Sequence, residues 1–208
     1  MLVLASGSPR RRALLGRAGF TFEVVESGVD EQLEQDETAG QFALRMACEK
    51  ALAVARLRPS SLVLAADTVV ECAGQILGKP ATEQEARTML FTLSGTTHVV
   101  TTAYALARGA AVLVSRQVCS RVRFRELGRA EVEAYIATGE PFDKAGGYGI
   151  QNQAGGFVAS IEGSVDNVTG LPVAEVTATL ARFGISPQKE NDAASKAPAV
   201  TPGHERTP

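Results

Sequence analysis

The feature that most constrains the fold is an alternation of short apolar runs with longer segments of helical periodicity. Apolar runs at residues 2–5 and 62–66 are typical of buried strands, and an alternating run predicts another strand at 20–25. Helical periodicity predicts helices over residues 9–18, 38–57, 83–93, 131–138 and 171–183. Strands and helices that alternate along a chain in this way favour an α/β fold.

Two long strand-like runs indicate that the sheet of this α/β fold is mixed. The runs cover residues 98–107 and 111–124, and Arg108-Gly109 joins them in a way that suits an antiparallel hairpin. A smaller hairpin is predicted within residues 69–77, and a last strand over 157–162. We therefore expect a mixed sheet flanked by helices.

The length and composition predict one folded domain followed by a tail. The chain has 208 residues, of which 45% are hydrophobic, enough for a sizeable core. The predicted domain spans residues 1–186 and includes a glycine-rich loop at 139–156. From Pro187 onward, Pro, Ala, Ser, Thr and charged residues follow without periodicity, so residues 187–208 are predicted to be a disordered tail.

Charge and cysteine content narrow the expected partners and compartment. Lys and Arg number 21 against 23 Asp and Glu, so the net charge is −2, and no nucleic-acid partner is expected. Three unclustered cysteines, Cys48, Cys72 and Cys119, match neither a disulfide framework nor a zinc site, which predicts reduced thiols in a cytoplasmic protein. No run approaches the roughly 20 apolar residues that span a bilayer, so no membrane partner is expected either.

Three consecutive arginines open the first predicted helix, where the helix dipole disfavours cations by roughly 0.3–1 kcal/mol each. Of Arg10, Arg11 and Arg12, the second also shares the apolar face of the helix with Leu14 and Leu15. An anion bound at the helix N-terminus would reverse the effect of the dipole. A snorkelling side chain or a buried ion pair would explain Arg11 without any ligand. These residues alone leave both explanations open.

Four other charged residues occupy positions that suggest a role in binding or catalysis. Lys50 lies on the apolar face of the longest predicted helix, so it either snorkels to the rim or meets a partner. Asp67 follows the strand at 62–66 directly, where a carboxylate can hold a metal ion or activate water; capping a turn is the alternative. For Glu31 and Lys79, the alternative is simple exposure at the surface.

An ordered set of motifs extends over about residues 2–185. The segments are Ala5-Ser6-Gly7-Ser8-Pro9-Arg10-Arg11, Val29-Asp30-Glu31, Glu49-Lys50-Ala51, Ala66-Asp67-Thr68-Val69-Val70, Gly78-Lys79-Pro80, Leu93-Ser94-Gly95 with His98, Gly139-Glu140-Pro141, Asp143-Lys144-Ala145-Gly146, Tyr148-Gly149-Ile150-Gln151 and Val168-Thr169-Gly170-Leu171-Pro172. One such motif would be a weak signal, but the full set in this order and spacing is highly specific. Taken together, these segments resemble the Maf family.

The resemblance implies an α/β fold similar to that of the inosine-triphosphate pyrophosphatases, with two lobes around a deep cleft. It implies hydrolysis of a nucleoside triphosphate to the monophosphate and pyrophosphate, with a divalent cation such as Mg²⁺ or Mn²⁺. A homodimer and a housekeeping role in the nucleotide pool are also implied. Because the family name comes from a link to septum formation, a nucleotide-binding regulator of cell division with little catalysis is the alternative.

The resemblance also implies roles for particular residues. The expected proton acceptor is Asp67, and Asp67 and Glu31 are the expected metal ligands. Four residues are expected to bind the phosphates and the leaving pyrophosphate: Ser8, Arg11, Lys50 and Lys79. Three further positions look like the specificity markers of the branch that acts on dTTP and UTP rather than on 7-methyl-GTP: Arg10, Thr68 and Gln151.

Overall fold

The computed structural model describes residues 1–151 and 153–188. Its strands are β1 (Leu2–Leu4), β2 (Glu23–Val24), β3 (Leu62–Cys72), β4 (Gln75–Leu77), β5 (Thr97–Arg108), β6 (Ala111–Phe124) and β7 (Val158–Glu162). Its α-helices are α1 (Pro9–Arg17), α2 (Ala39–Leu57), α3 (Glu83–Leu93), α4 (Arg129–Ala137), α5 (Val165–Thr169) and α6 (Val173–Ala181). Short 3₁₀ turns cover Glu140–Asp143, Ala145–Gly147 and Gln153–Phe157.

All of these strands belong to one mixed sheet. The strand order is β2-β1-β3-β5-β6-β7, and β4 pairs with β3 beside this path. β1 runs parallel to β2 and to β3, whereas the pairs β3–β5, β5–β6 and β6–β7 are antiparallel. The prediction of a mixed sheet flanked by helices, including the long β5–β6 hairpin, is confirmed.

The two faces of the sheet are covered differently. Helix α2 packs on one face through small side chains such as Ala43 and Ala47, against β-strand residues such as Ala65. The other face carries two separate apolar clusters, each the interior of one lobe. One joins α1 and α6 to the start of the sheet, and the other joins α3 and α4 to its far end. The expected cleft lies between these two lobes.

Strand β3 is longer than the sequence predicts. The prediction that it ends at Ala66 is wrong, because β5 pairs with it without interruption from Val63 to Glu71. On its other edge, β1 pairs with residues 62–64 and β4 with residues 70–72. Asp67 therefore lies in the middle of a strand, not after its end. The strand that ends beside it is β1, so one edge of β3 opens into the cleft.

Other differences are local. The strand predicted at 20–25 shortens to β2, and the five-residue helix α5 is not predicted because it is too short to show a helical period. Part of the predicted loop at 139–156 is organised by 3₁₀ turns. At the start of the predicted tail, the backbone N–H of Gln188 donates to the carbonyl of Gly19 at 2.7 Å. Residues 189–208 lie outside the described residues, so the disordered tail stays a prediction. In the described ranges, no helix is both long and apolar enough to cross a membrane.

Candidate active site

The cleft between the lobes has a volume of about 340 Å³. Every site residue expected from the sequence lines it, although these residues are spread from position 8 to position 151. Its charged lining consists of five cations and three carboxylates, a net formal charge of +2: Arg10, Arg11, Lys50, Lys79 and Lys144, with Glu31, Asp67 and Asp143. A cavity of this size with excess positive charge suits a small polyanion.

Helix α1 points its N-terminus at the cleft. Ser8 is the N-cap, with extended backbone angles, and its hydroxyl oxygen accepts from the backbone N–H of Arg11 at 3.4 Å. Pro9 follows at the first helical position, which suits its fixed φ and its missing N–H. The first turn contains no acidic residue to balance the helix dipole. The positive end of α1 is therefore available to an anion.

Arg11 is hydrogen-bonded to two other residues that line the cleft. Its Nε donates to the carbonyl of Gly170 at 2.8 Å, and its Nη2 donates to the hydroxyl of Thr68 at 3.0 Å. Burial lowers the pKa of Arg11, although the negative charges of Asp67 and Glu31 act in the opposite direction. Among the described residues it forms no salt bridge, so a buried ion pair does not explain its position, and a bound anion would supply the missing counter-charge.

Lys50 connects the two expected metal ligands. Its Nζ donates to Asp67 Oδ1 and to Glu31 Oε1, both at 2.6 Å, and Lys79 Nζ donates to Glu31 Oε2 at 2.8 Å. Lys50 is 5% exposed and Asp67 is 6% exposed. Lys50 therefore does not fit the alternative drawn from the sequence, a side chain that snorkels to the rim. Glu31 is exposed, as its alternative expects, but both of its carboxylate oxygens accept from lysines.

The lysines also govern the ionisation of Glu31. Desolvation alone would raise its pKa, but hydrogen bonds and charge from Lys50 and Lys79 outweigh that effect and lower the pKa to about 2. Glu31 is therefore ionised throughout the physiological range.

The alternation of β3 explains why Asp67 and Thr68 have different surroundings. Successive side chains of a strand point to opposite faces, so Asp67 meets α2 through Lys50, while Thr68 meets α1 through Arg11. Both still line the cleft, because β3 has an open edge at this point. The two faces of one strand thus contribute different chemistry to one cavity.

Two carboxylates converging on one point fit a divalent cation that is shared with a substrate. Mg²⁺ is commonly held by one or two carboxylates together with substrate phosphates and water. Asp67 and Glu31, which both contact Lys50 Nζ, provide that number of protein ligands. In the parts of the chain that the structure describes, no group of three or more His, Cys, Asp or Glu side chains forms a fuller cage.

The expected specificity residues lie at separate places in the cleft. Arg10 donates to Asp143 across the mouth at 2.9 Å, and Gln151 is exposed in the turn after the glycine-rich loop. The Thr68 hydroxyl accepts from Arg11 and lies 3.0 Å from that of Thr102. Because Thr102 itself donates to a backbone carbonyl, Thr68 is left as the donor of this second contact. The structure thus places Thr68 beside the phosphate-binding arginine.

Several cleft residues were not singled out as site residues from the sequence. Asp143 and Lys144 lie in one of the matched motifs, and this motif was the only signal that could have found them. Tyr148 also lines the cleft, and its hydroxyl lies 2.6 Å from Nε2 of His98, a side chain only 1% exposed. Burial lowers the pKa of His98 to about 4, so this histidine is neutral at physiological pH.

Comparison with known proteins places the chain in a family. Residues 1–183 match the family model described as Maf-like protein. A protein named dTTP/UTP pyrophosphatase from Anaeromyxobacter sp. (strain Fw109-5) is 50% identical over 187 residues, which is 88% of this chain and 89% of that protein. Proteins with the same name are 46% identical in Hahella chejuensis (88% of this chain, 92% of that one) and in Shigella dysenteriae serotype 1 (91% and 96%).

Solved structures show a more distant likeness. A HAM1 protein from Coxiella burnetii superposes with a TM-score of 0.42 at 17% identity, covering 62% of this chain and 74% of that one. A nucleoside-triphosphatase, dITP/XTP pyrophosphatase, from Mycobacterium abscessus also gives 0.42, at 14% identity and with coverages of 87% and 94%. These scores are too low to support a functional comparison. The family model and the sequence relatives, which span nearly all of the folded chain, show that the protein belongs to the Maf family.

Proposed function

We propose that this protein hydrolyses nucleoside triphosphates, dTTP and UTP among them, to the monophosphate and pyrophosphate. The observation that carries the proposal is the cluster in which Lys50 binds Asp67 and Glu31. This cluster lies beside the N-terminus of α1 and beside Arg11, which forms no salt bridge among the described residues. Relatives at 45–50% identity bear the name dTTP/UTP pyrophosphatase, which supports the choice of nucleotides. The nucleotide pool would be the setting of a housekeeping role.

The cations of the cleft would hold the phosphate chain. The backbone N–H groups of the first turn of α1, with Ser8, bind one phosphate group, and Arg11 supplies a desolvated guanidinium beside it. Lys50 and Lys79 offset the charge that gathers on the leaving pyrophosphate. Their present acceptors, Asp67 and Glu31, keep both ammonium groups in place before the substrate arrives.

Asp67 would accept the proton from the attacking water. The water oxygen forms a bond to the α-phosphorus, and the bond from that phosphorus to the oxygen bridging the α- and β-phosphates breaks. Pyrophosphate leaves, and the proton of the water passes to a carboxylate oxygen of Asp67. Asp67 and Glu31 would hold a divalent cation, Mg²⁺ or Mn²⁺, which supplies a lower pKa for bound water and offsets charge on the phosphates.

The base would be recognised towards the mouth of the cleft. The amide of Gln151 can donate and accept at once, which suits thymine and uracil because both carry N–H and C=O groups along one edge. Arg10 would contribute further donors from the opposite lobe. Thr68 would act on specificity from its position beside Arg11.

We also propose that the protein is cytoplasmic, forms a homodimer and has no nucleic-acid partner. The free state of Cys48, Cys72 and Cys119 suits a reducing compartment, and the net charge of −2 suits a small-molecule substrate. Light scattering coupled to gel filtration tests the dimer, since a monomeric mass at micromolar concentration would contradict it.

A substrate panel tests the proposed reaction. The purified protein is incubated with dTTP, UTP, CTP, ITP or 7-methyl-GTP in Mg²⁺ or Mn²⁺, and pyrophosphate release is measured. We expect release from dTTP and UTP that stops with a chelator and returns when the metal is restored. Release only from ITP or 7-methyl-GTP would contradict the substrate choice. Nucleotide binding without any release would favour the regulator of cell division.

A further inference from the structure

Lys144 is a buried cation of the cleft that the proposed reaction leaves without a role. It is 9% exposed and lines the cavity from the side of the glycine-rich loop. Its Nζ donates to the carbonyl of Glu140 and to Asp143 Oδ1, both at 2.6 Å. An ammonium group has three N–H donors. With two of them bonded in the described structure, one donor remains for a ligand.

The only carboxylate that balances Lys144 in the described residues is shared with a second cation. Asp143 Oδ2 accepts from Arg10 Nη1 at 2.9 Å, and its backbone carbonyl accepts from Arg10 Nη2 at 3.3 Å. Arg10 belongs to one lobe and Lys144 to the other, so the carboxylate joins two cations across the mouth of the cleft. One negative charge between two positive ones leaves a surplus that an anionic ligand would neutralise.

Gly149 supplies the space in which the Lys144 side chain lies. A Cβ atom at position 149 would lie 2.7 Å from Cε of Lys144 and 2.9 Å from its Cδ, closer than real Cβ contacts occur. The φ angle of Gly149 is not in the left-handed region, so its backbone does not itself demand glycine. The missing side chain at 149 is instead what lets the lysine stem cross the loop and reach the cleft.

We propose that Lys144 is a further substrate-binding residue that contacts a non-bridging phosphate oxygen of the nucleotide. Asp143 holds Lys144 and Arg10 in place until the nucleotide enters, when a phosphate oxygen becomes an acceptor for the lysine. A phosphate is the expected partner because it carries formal charge, whereas a base carbonyl would leave the surplus charge unbalanced. The proposal rests on the proposed function for the identity of its ligand, but not for its test.

Binding measurements test the contact separately from turnover. Calorimetry is carried out with α,β-imido-dUTP, which cannot be cleaved at the scissile position, and with inorganic triphosphate, which has no base or sugar. Lys144→Met should weaken the binding of both ligands roughly 10-fold or more, as is typical for the loss of a hydrogen bond from a charged donor. Thermal melting of the variant checks that it is folded.

Gly149→Ala displaces the lysine without changing its charge. The added methyl group must push the end of the Lys144 side chain aside, so both ligands should bind several-fold more weakly. Gly156→Ala is the matched control, because a Cβ at Gly156 meets nothing within 4 Å and the residue lies outside the cleft. This variant should bind both ligands like the wild type.

Each outcome decides the proposal. Unchanged binding of inorganic triphosphate by both Lys144→Met and Gly149→Ala would overturn it. Weaker binding of α,β-imido-dUTP alone would assign Lys144 to the base or sugar and would overturn the phosphate contact. If the wild type binds both ligands but releases no pyrophosphate from dTTP or UTP, the proposed function fails, and the binding results still decide the role of Lys144.

Discussion

At Asp67 the buried negative charge is balanced before any nucleotide is bound. Lys50 contacts both Asp67 and Glu31, so the buried ammonium would keep one carboxylate if the other lost its charge. Removing one partner of an isolated buried ion pair is strongly destabilising, typically by about 3–5 kcal/mol. Because Lys50 keeps Glu31 as a partner, a neutral residue at position 67 should destabilise the protein less. A substitution of Asp67 can therefore separate its role in catalysis from its role in stability.

Asp67→Asn should abolish most of the turnover while nucleotide binding persists. The amide cannot accept the proton of the attacking water, and general-base catalysis contributes typically about 10²–10⁴-fold in rate. The measurements are pyrophosphate release from dTTP and the affinity for α,β-imido-dUTP. Asp30→Asn, in the exposed loop beside Glu31, is the matched control and should keep full activity. Weakened affinity with unchanged turnover would assign Asp67 to binding alone.

At the scale of the element, α1 combines a structural and a functional use of one residue. Ser8 caps the helix, and its first turn faces the cleft. Thr82 caps α3 in the same way, accepting from the backbone N–H of Glu85 at 3.1 Å, but α3 has no residue in the cleft lining. The two caps therefore share their local physics and differ in their surroundings.

Ser8→Ala and Thr82→Ala should lower the free energy of unfolding by similar amounts, about 1 kcal/mol each, the usual cost of a lost N-cap. Only Ser8→Ala should raise KM for dTTP, because only this cap adjoins the expected phosphate position. Urea unfolding and steady-state kinetics on both variants provide the comparison. An equal rise of KM in Thr82→Ala would show that the kinetic effect follows from stability.

The 3₁₀ turn at Ala145–Gly147 lies against β3 and carries the loop that closes one side of the cleft. Gly146 has φ +69°, and its N–H donates to the carbonyl of Gly78 at 2.9 Å. A Cβ at this position would lie 3.1 Å from Cγ1 of Val70. Both the backbone angle and the contact with β3 therefore demand glycine.

Gly146→Ala should destabilise the protein more than Gly28→Ala does. Both positions have left-handed φ angles, which cost an alanine roughly 1–2 kcal/mol. A Cβ at Gly28 meets nothing within 4 Å, whereas the one at Gly146 presses on Val70, which should add roughly 1–3 kcal/mol. Urea unfolding measures the difference. Equal losses in the two variants would mean that the loop moves away from β3 freely.

Over the whole molecule, one buried pair joins the glycine-rich loop to strand β5. His98 on β5 meets the Tyr148 hydroxyl, and both rings pack edge to face with Phe124 of β6. Nδ1 of His98 has no hydrogen-bond partner in the described structure. Since burial lowers the pKa of His98 to about 4, the folded protein keeps this ring neutral where the unfolded chain would protonate it.

Stability should therefore fall as the pH decreases from about 6.5, the ordinary histidine pKa, to about 4. In this window the unfolded chain binds a proton at His98 that the folded protein does not, and the loss approaches roughly 3 kcal/mol by the lower limit. His98→Gln should flatten this part of the profile. Urea unfolding across the window measures it, and equal slopes in wild type and variant would contradict the assignment to His98.

The predictions from sequence held where the signal was local. Ser8 and Pro9 marked the start of α1 because caps depend on the adjacent backbone, and the periodicity around Lys50 identified it as a cation on an apolar face. The predictions failed where pairing between distant segments sets the length of a strand. Asp67 and Thr68 interrupt an apolar run, which suggested the end of a strand, yet β5 continues the ladder through them.

By itself, the sequence determined the type and order of most elements, the family and nine of the residues that meet in the cleft. These follow from hydrophobic period, from cap and turn chemistry, and from motifs whose spacing is characteristic. Only the tertiary structure decided which charged side chains contact each other. Periodicity states which face a side chain occupies but not what lies opposite. The folded sheet and loops bring separate segments together, and this places Lys50 against Asp67 and Arg10 against Asp143. It also places the Lys144 side chain in the space that Gly149 leaves open.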